Sequence, residues 1–151
     1  MANTYSKLYV HIVFSVKGRH IQLKPENKEE LHKYITGIIH KRQNKVMAIN
    51  SMPDHIHIFI SMRPDISVSE IVRDVKRTTT NFINEKKWLM GRFYWQEGFG
   101  AFTYAQSQIE NVASYIMNQE KHHHKNTFKE EYIKLLKLFH IDYDERYVVD
   151  E

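Results

Sequence analysis

Residues 8–16 alternate along the chain, with Leu8, Val10, Ile12, Phe14 and Val16 on one side and Tyr9, His11, Val13 and Ser15 on the other. A period of two predicts a β-strand. Lys17-Gly18-Arg19 then leads into a loop, and Pro25 suits the first turn of a helix. Behind it Leu31, Tyr34, Ile35, Ile38 and Ile39 recur at helical spacing. Val46 to Ser51 and Ile56 to Met62 read as two strands joined by a short turn at Met52-Pro53-Asp54. Ser67 and Glu70 form a capping box with Ile66 and Ile71 placed as a hydrophobic staple, so a helix starts there. Its apolar stripe is Val68, Ile71, Val72, Val75, Phe82 and Ile83. A fourth strand is predicted within 93–104, around Trp95 and Phe102. Ser107 and Glu110 offer a second capping box, opening a helix that carries Tyr115 and Gln119. Thr127 and Glu130 offer a third, opening a final helix with Phe128, Leu135, Leu136 and Phe139.

Strand, helix, strand, strand, helix, strand is the ferredoxin-like βαββαβ order, an α+β fold. It predicts an antiparallel sheet with helices on one face, followed by C-terminal helices. The chain has 151 residues, 42% of them hydrophobic, enough for one core and too few for two ordinary domains. Residues 1–151 are therefore expected to form a single domain, and no linker or repeat interrupts them. No apolar run approaches the ~20 residues of a membrane span, and no signal-peptide pattern is present. These features predict a soluble cytoplasmic protein with no membrane partner. The absence of cysteine excludes disulfides, thiolate metal sites and cysteine nucleophiles. A formal charge of +4 favours a polyanionic partner without identifying one.

The chemistry concentrates at His55-Ile56-His57. Side chains on a strand alternate faces, so the two imidazoles project together, opposite Ile56, Ile58 and Ile60. An isolated pair of this kind is more often structural than functional. Tyr115 and Gln119 lie four residues apart on a predicted helix, beside an apolar stripe of Ile109, Val112, Ala113 and Ile116. Asn111, Tyr115, Gln119 and His122 form the adjoining polar stripe. Two imidazoles and an amide oxygen can hold a divalent cation, and a tyrosine beside it is a potential nucleophile. His11 is expected to approach His55 or His57 if their strands are neighbours, without being counted as a ligand.

Arg73, Lys76, Arg77 and Thr80 share one side of the second helix, and Lys17 and Arg19 end the first strand. A basic stripe can track a phosphate backbone, and it equally suits a solvated face. Tyr94, Trp95 and Phe99 can stack on unpaired bases or pack in a core or interface. Lys121-His122-His123-His124-Lys125 reads most simply as a cationic helix end.

Four separated segments occur in one order: Tyr9-Val10-His11-Ile12-Val13-Phe14, Met52-Pro53-Asp54-His55-Ile56-His57, Trp95-Gln96-Glu97-Gly98-Phe99 and Tyr115-Ile116-Met117-Asn118-Gln119. Gln119-Glu120-Lys121-His122-His123 and Phe128-Lys129-Glu130-Glu131 follow. Together they resemble the single-tyrosine HUH transposases of the insertion-sequence 200/605 group. The resemblance implies a homodimer with composite active sites, acting on single-stranded DNA that carries hairpins at the ends of a mobile element. It implies that His55, His57 and Gln119 bind a divalent cation, Mg²⁺ or Mn²⁺, and that Tyr115 attacks the scissile phosphate to give a 5′-phosphotyrosine and a free 3′-hydroxyl. No P-loop is present, which agrees with strand transfer without a nucleotide cofactor. The alternatives are a domesticated relative that binds hairpin DNA without transposing, and a nickase of the wider HUH group, against which the single tyrosine and small size argue.

Overall fold

The computed structural model describes residues 3–18, 21–123 and 126–149, apart from the side chains of 122 and 123. Four strands, β1 (Leu8–Ser15), β2 (Lys45–Met52), β3 (His55–Met62) and β4 (Gly100–Thr103), form one sheet in the order β2-β3-β1-β4. Every paired neighbour is antiparallel. The helices are α1 (Lys28–Lys41), α2 (Val68–Lys86), α3 (Ile109–Met117), α4 (Gln119–His123) and α5 (Phe128–Leu138). Pro25 opens a 3₁₀ turn ahead of α1. The predicted ferredoxin-like order is therefore present, with a shorter fourth strand; Trp95 contributes one isolated bridge to Val16 instead of extending it.

Helices cover both faces of the sheet, not one as the pattern predicted. Ile12, Phe14, Ile56, Ile58 and Ile60 face α1 and α2, where they pack with Leu31, Ile35, Val75 and Ile83. The opposite face holds two apolar clusters. One joins Tyr9 and Phe59 to Val112 and Ile116 of α3; the other joins Val13 and Phe102 to Phe128, Leu135 and Leu136 of α5. Because both faces are buried, the polar side chains on the second one are enclosed: His11, His55 and His57 are each 0% exposed.

Side-chain caps explain where two helices begin, although only the Thr127–Glu130 pair forms the full reciprocal box. The Ser67 hydroxyl accepts from the Glu70 N–H, and Thr127 and Glu130 cap each other's backbone. The Ser107–Glu110 box does not form. A 3₁₀ turn over Gln106–Gln108 precedes α3, and the Gln108 side chain accepts from the Ala105 N–H. Nor does one helix carry both Tyr115 and Gln119, as expected, because α3 stops at Met117 and α4 restarts at Gln119. The Asn50 amide on β2 donates to the Ile116 and Met117 carbonyls, at 2.9 and 3.4 Å. It thus satisfies acceptors that a helix C-terminus leaves without intrahelical partners.

Candidate active site

β3 supplies two imidazoles to the centre of the second sheet face. Its register places His57 opposite Val13 and His55 opposite Ser15, with His11 one diagonal step from His57. Each ring has one nitrogen occupied by an orienting partner. His55 Nδ1 lies 2.7 Å from the Asp54 carboxylate, and His57 Nδ1 lies 2.7 Å from His11 Nε2. A partner on Nδ1 fixes the ring and leaves Nε2 to face inward, which is how metal-ligating histidines are prepared. Burial and the neighbouring His57 push the His11 pKa down to about 3, so His11 is a neutral partner.

Both Nε2 atoms face one carboxylate, which no sequence expectation had assigned a role. Glu131 Oε1, on α5, lies 3.1 Å from His57 Nε2 and 3.6 Å from His55 Nε2. Gln119, 0% exposed, brings its Oε1 to 3.4 Å from His55 Nε2 and donates through Nε2 to Glu131 Oε2 at 3.0 Å. The half-buried Tyr115 donates its hydroxyl to the same Oε2. Tyr115 and Gln119 therefore converge despite the helix break. The phenol is held well above its ordinary pKa, first by burial and then by the negative Glu131. As arranged, it is a protonated group rather than a phenolate.

His55, His57 and Glu131 have ligand atoms within 4.8 Å of one another. For ligand bonds of about 2.1 Å, cis donors stand about 3.0–3.4 Å apart. The spacings of 3.1, 3.4 and 3.6 Å around His55, His57, Gln119 and Glu131 are close to that. Imidazole with oxygen donors suits a borderline divalent cation, so the donor set fits one. The Phe128 ring stacks on His55 at 4.1 Å between centroids. Beside the cluster a cleft of about 390 Å³ opens between α3 and α5, reaching Tyr115 and Glu131 and bordered by Tyr104, Asn111 and Lys134.

The sequence-predicted basic residues lie elsewhere. Arg73, Lys76 and Arg77 are on α2, across the sheet from the histidines. Lys76 donates to the Gln96 and Gly98 carbonyls, at 2.8 and 2.5 Å, and so anchors that loop. Arg77 reaches Asp74 at 3.4 Å, Arg73 is exposed, and Lys17 is exposed at the end of β1. Arg19 and the run's His124 and Lys125 lie outside the described residues, as do the side chains of His122 and His123. Trp95 is a core residue whose indole donates to Thr79, whereas Tyr94 and Phe99 are 48% and 37% exposed. Glu131 did leave a trace in the sequence. It follows Phe128 by three residues and precedes Leu135 by four, so a carboxylate occupies a core-facing position of an amphipathic helix.

The chain is 25% identical, over 118 residues, to the ISDra2 transposase TnpA of Deinococcus radiodurans, spanning 75% of this chain and 84% of that protein. Two solved structures share the fold. One, a protein of Deinococcus radiodurans R1 described as a transposase, has a TM-score of 0.58 at 22% identity, covering 79% of this chain and 95% of its own. The other, a REP-associated tyrosine transposase bound to a REP hairpin, has a TM-score of 0.62 at 18% identity, covering 82% and 73%. Residues 4–119, which span all four strands and end on Gln119, match the family described as "Transposase IS200 like", and the chain belongs to that family.

Proposed function

We propose that this protein is a divalent-cation-dependent transposase that cleaves and rejoins single-stranded DNA through a covalent tyrosine intermediate. The observation that carries the reading is the convergence of Tyr115 and Gln119 on a carboxylate that also faces His55 and His57. In this reading His55, His57 and Gln119 hold Mg²⁺ or Mn²⁺. Bound there, the cation supplies Lewis-acid stabilisation of the charge that grows on the scissile phosphate. Asp54 and His11 keep the two rings turned so that Nε2 faces the ion. Tyr115 is the nucleophile. Its oxygen gives up its proton, towards the Glu131 carboxylate that already accepts it, and bonds to phosphorus. The bond to the 3′ oxygen breaks, and that oxygen leaves with the electron pair and takes up one proton, so the proton count is unchanged. The reverse attack by a 3′-hydroxyl releases the tyrosine and joins two strands. One phosphodiester is exchanged for another ester, so no nucleotide cofactor is needed.

The substrate is single-stranded DNA with a hairpin at each element end, handled in the cytoplasm by a homodimer with composite active sites. The cleft between α3 and α5 is the route by which a strand reaches Tyr115. Lys17, Arg19, Arg73, Lys76 and Arg77 are the proposed backbone contacts, those on α2 serving DNA away from the scissile bond. Hairpin binding is supported by the fold shared with the hairpin-bound tyrosine transposase.

The test is incubation of labelled single-stranded DNA from the flanks of the protein's own gene with Mg²⁺ or Mn²⁺. A covalent protein–DNA adduct is expected with wild type and metal, and a loss of at least a thousandfold with Tyr115→Phe, which lacks the attacking oxygen. Tight hairpin binding without any adduct would instead favour a domesticated DNA-binding role. An adduct that survives in the phenylalanine variant would mean a different nucleophile.

A further inference from the structure

The family match ends at Gln119, yet the cluster does not. Glu131 stands on α5, beyond that segment, and its side chain is only 8% exposed. It sits in the stripe that buries Phe128, Leu135 and Leu136 against Val13 and Phe102. A carboxylate in such a place costs stability unless strong partners compensate it. Here its two oxygens serve different groups. Oε1 faces His57 Nε2 at 3.1 Å and His55 Nε2 at 3.6 Å, whereas Oε2 accepts from Gln119 and from the Tyr115 hydroxyl.

We propose that Glu131 is a fourth ligand of the cation held by His55, His57 and Gln119, and that its second oxygen positions Tyr115 against that ion. The proposal rests on the functional reading above and deepens it. Oε1 stands from the two imidazole nitrogens at about the separations that donors keep around one ion. A carboxylate oxygen also adds the negative charge that two neutral imidazoles and an amide lack, and hard divalent cations favour it. Because Oε2 belongs to the same rigid carboxylate, a hydroxyl bonded to it is carried to within one group of the ion. Tyr115 is thereby placed by the ligand shell and not by its helix alone. This explains how the nucleophile keeps its place although α3 ends two residues after it.

The test is titration of the full-length, DNA-free protein with Mn²⁺, following free Mn²⁺ by electron paramagnetic resonance. Glu131→Gln keeps the size and an acceptor oxygen but removes the charge, and is expected to weaken Mn²⁺ binding at least tenfold. Glu131→Asp keeps the charge on a shorter arm and is expected to fall between it and wild type. Tyr115→Phe is expected to bind within about twofold of wild type, since the phenol is positioned by the shell but is not part of it. Thermal unfolding in chelator checks that each variant is folded, and the Asp variant carries the test if the Gln variant is not. Equal Mn²⁺ affinity for wild type and the folded Glu131 variants would overturn the ligand role. If His57→Ala still abolished binding in that case, the two-histidine site itself would stand. A wild-type protein that binds no Mn²⁺ would overturn both.

Discussion

Among single residues, His32 shows how burial sets pH behaviour away from the site. Its ring bonds Ser51 at 2.8 Å, and burial, helped by the Lys28 charge, lowers its pKa to about 4. The unfolded chain takes up that proton near the ordinary value of about 6.5, before the folded protein does. His32 therefore leaves stability intact above that value, and stability falls as pH drops from there towards 4. The contribution is about 1–2 kcal/mol once partial exposure is allowed for. His32→Gln is expected to flatten denaturant-midpoint stability between pH 6.5 and 4.5 relative to wild type; an unchanged slope would mean the ring does not resist protonation. At this scale part of the candidate site was legible. The alternation at His55-Ile56-His57 is local geometry, which a sequence displays, whereas Tyr115 and Gln119 meet across a helix break through their shared partner Glu131. Glu131 was not legible as a partner, because only the docking of α5 brings it to β3. The approach of His11 to His57 was expected if their strands are neighbours, as they are, whereas Asp54 takes its orienting place from the hairpin turn.

Elements were readable where their ends carry side-chain caps, as at Ser67 and Thr127, and less so where tertiary contacts set the boundary. Met117-Asn118-Gln119 has no glycine or proline to announce a break. The interruption between α3 and α4 is accompanied by Asn50 on a neighbouring strand, which the sequence does not place there. The covering of the second sheet face was hidden because Tyr9, His11, Val13 and Ser15 mix polar and apolar groups, a pattern that also suits a half-solvated strand. The approach of α5 to that face is close. A Cβ on Gly100 would stand 2.7 Å from the Tyr132 hydroxyl and 2.8 Å from its ring. The Tyr132 ring, whose burial raises its pKa to about 12, stacks on Phe128, and the Phe102 ring stands 3.1 Å from the same Cβ, so the added atom forces a shift. Gly100→Ala is expected to lower stability by about 1–3 kcal/mol through this overlap. It should also speed hydrogen exchange in α5 more than in α1. Equal acceleration of both helices would show that the contact does not seat α5.

For the molecule as a whole, the proposed dimer has a mass of about 36 kDa, twice 18.2 kDa, and sedimentation of the free protein checks it. Composite sites make a sharper prediction. In this structure Tyr115 bonds Glu131 of its own chain, so the proposed nucleophile is held within its own subunit. If it is exchanged between subunits during catalysis, mixing Tyr115→Phe with His57→Ala subunits should restore about a quarter of the wild-type adduct sites. Half of the randomly assorted dimers are mixed, and each mixed dimer has one whole site. No restoration would mean that cleavage proceeds within one chain. The part of the chain that follows the family pattern and the part that walls the site are not coextensive. On the proposed reading, relatives with the same histidines and tyrosine but a different tail would hold their ion without a fourth ligand from this helix. Grafting tails between such relatives should retune how tightly each grips its ion while the common framework stays as it is.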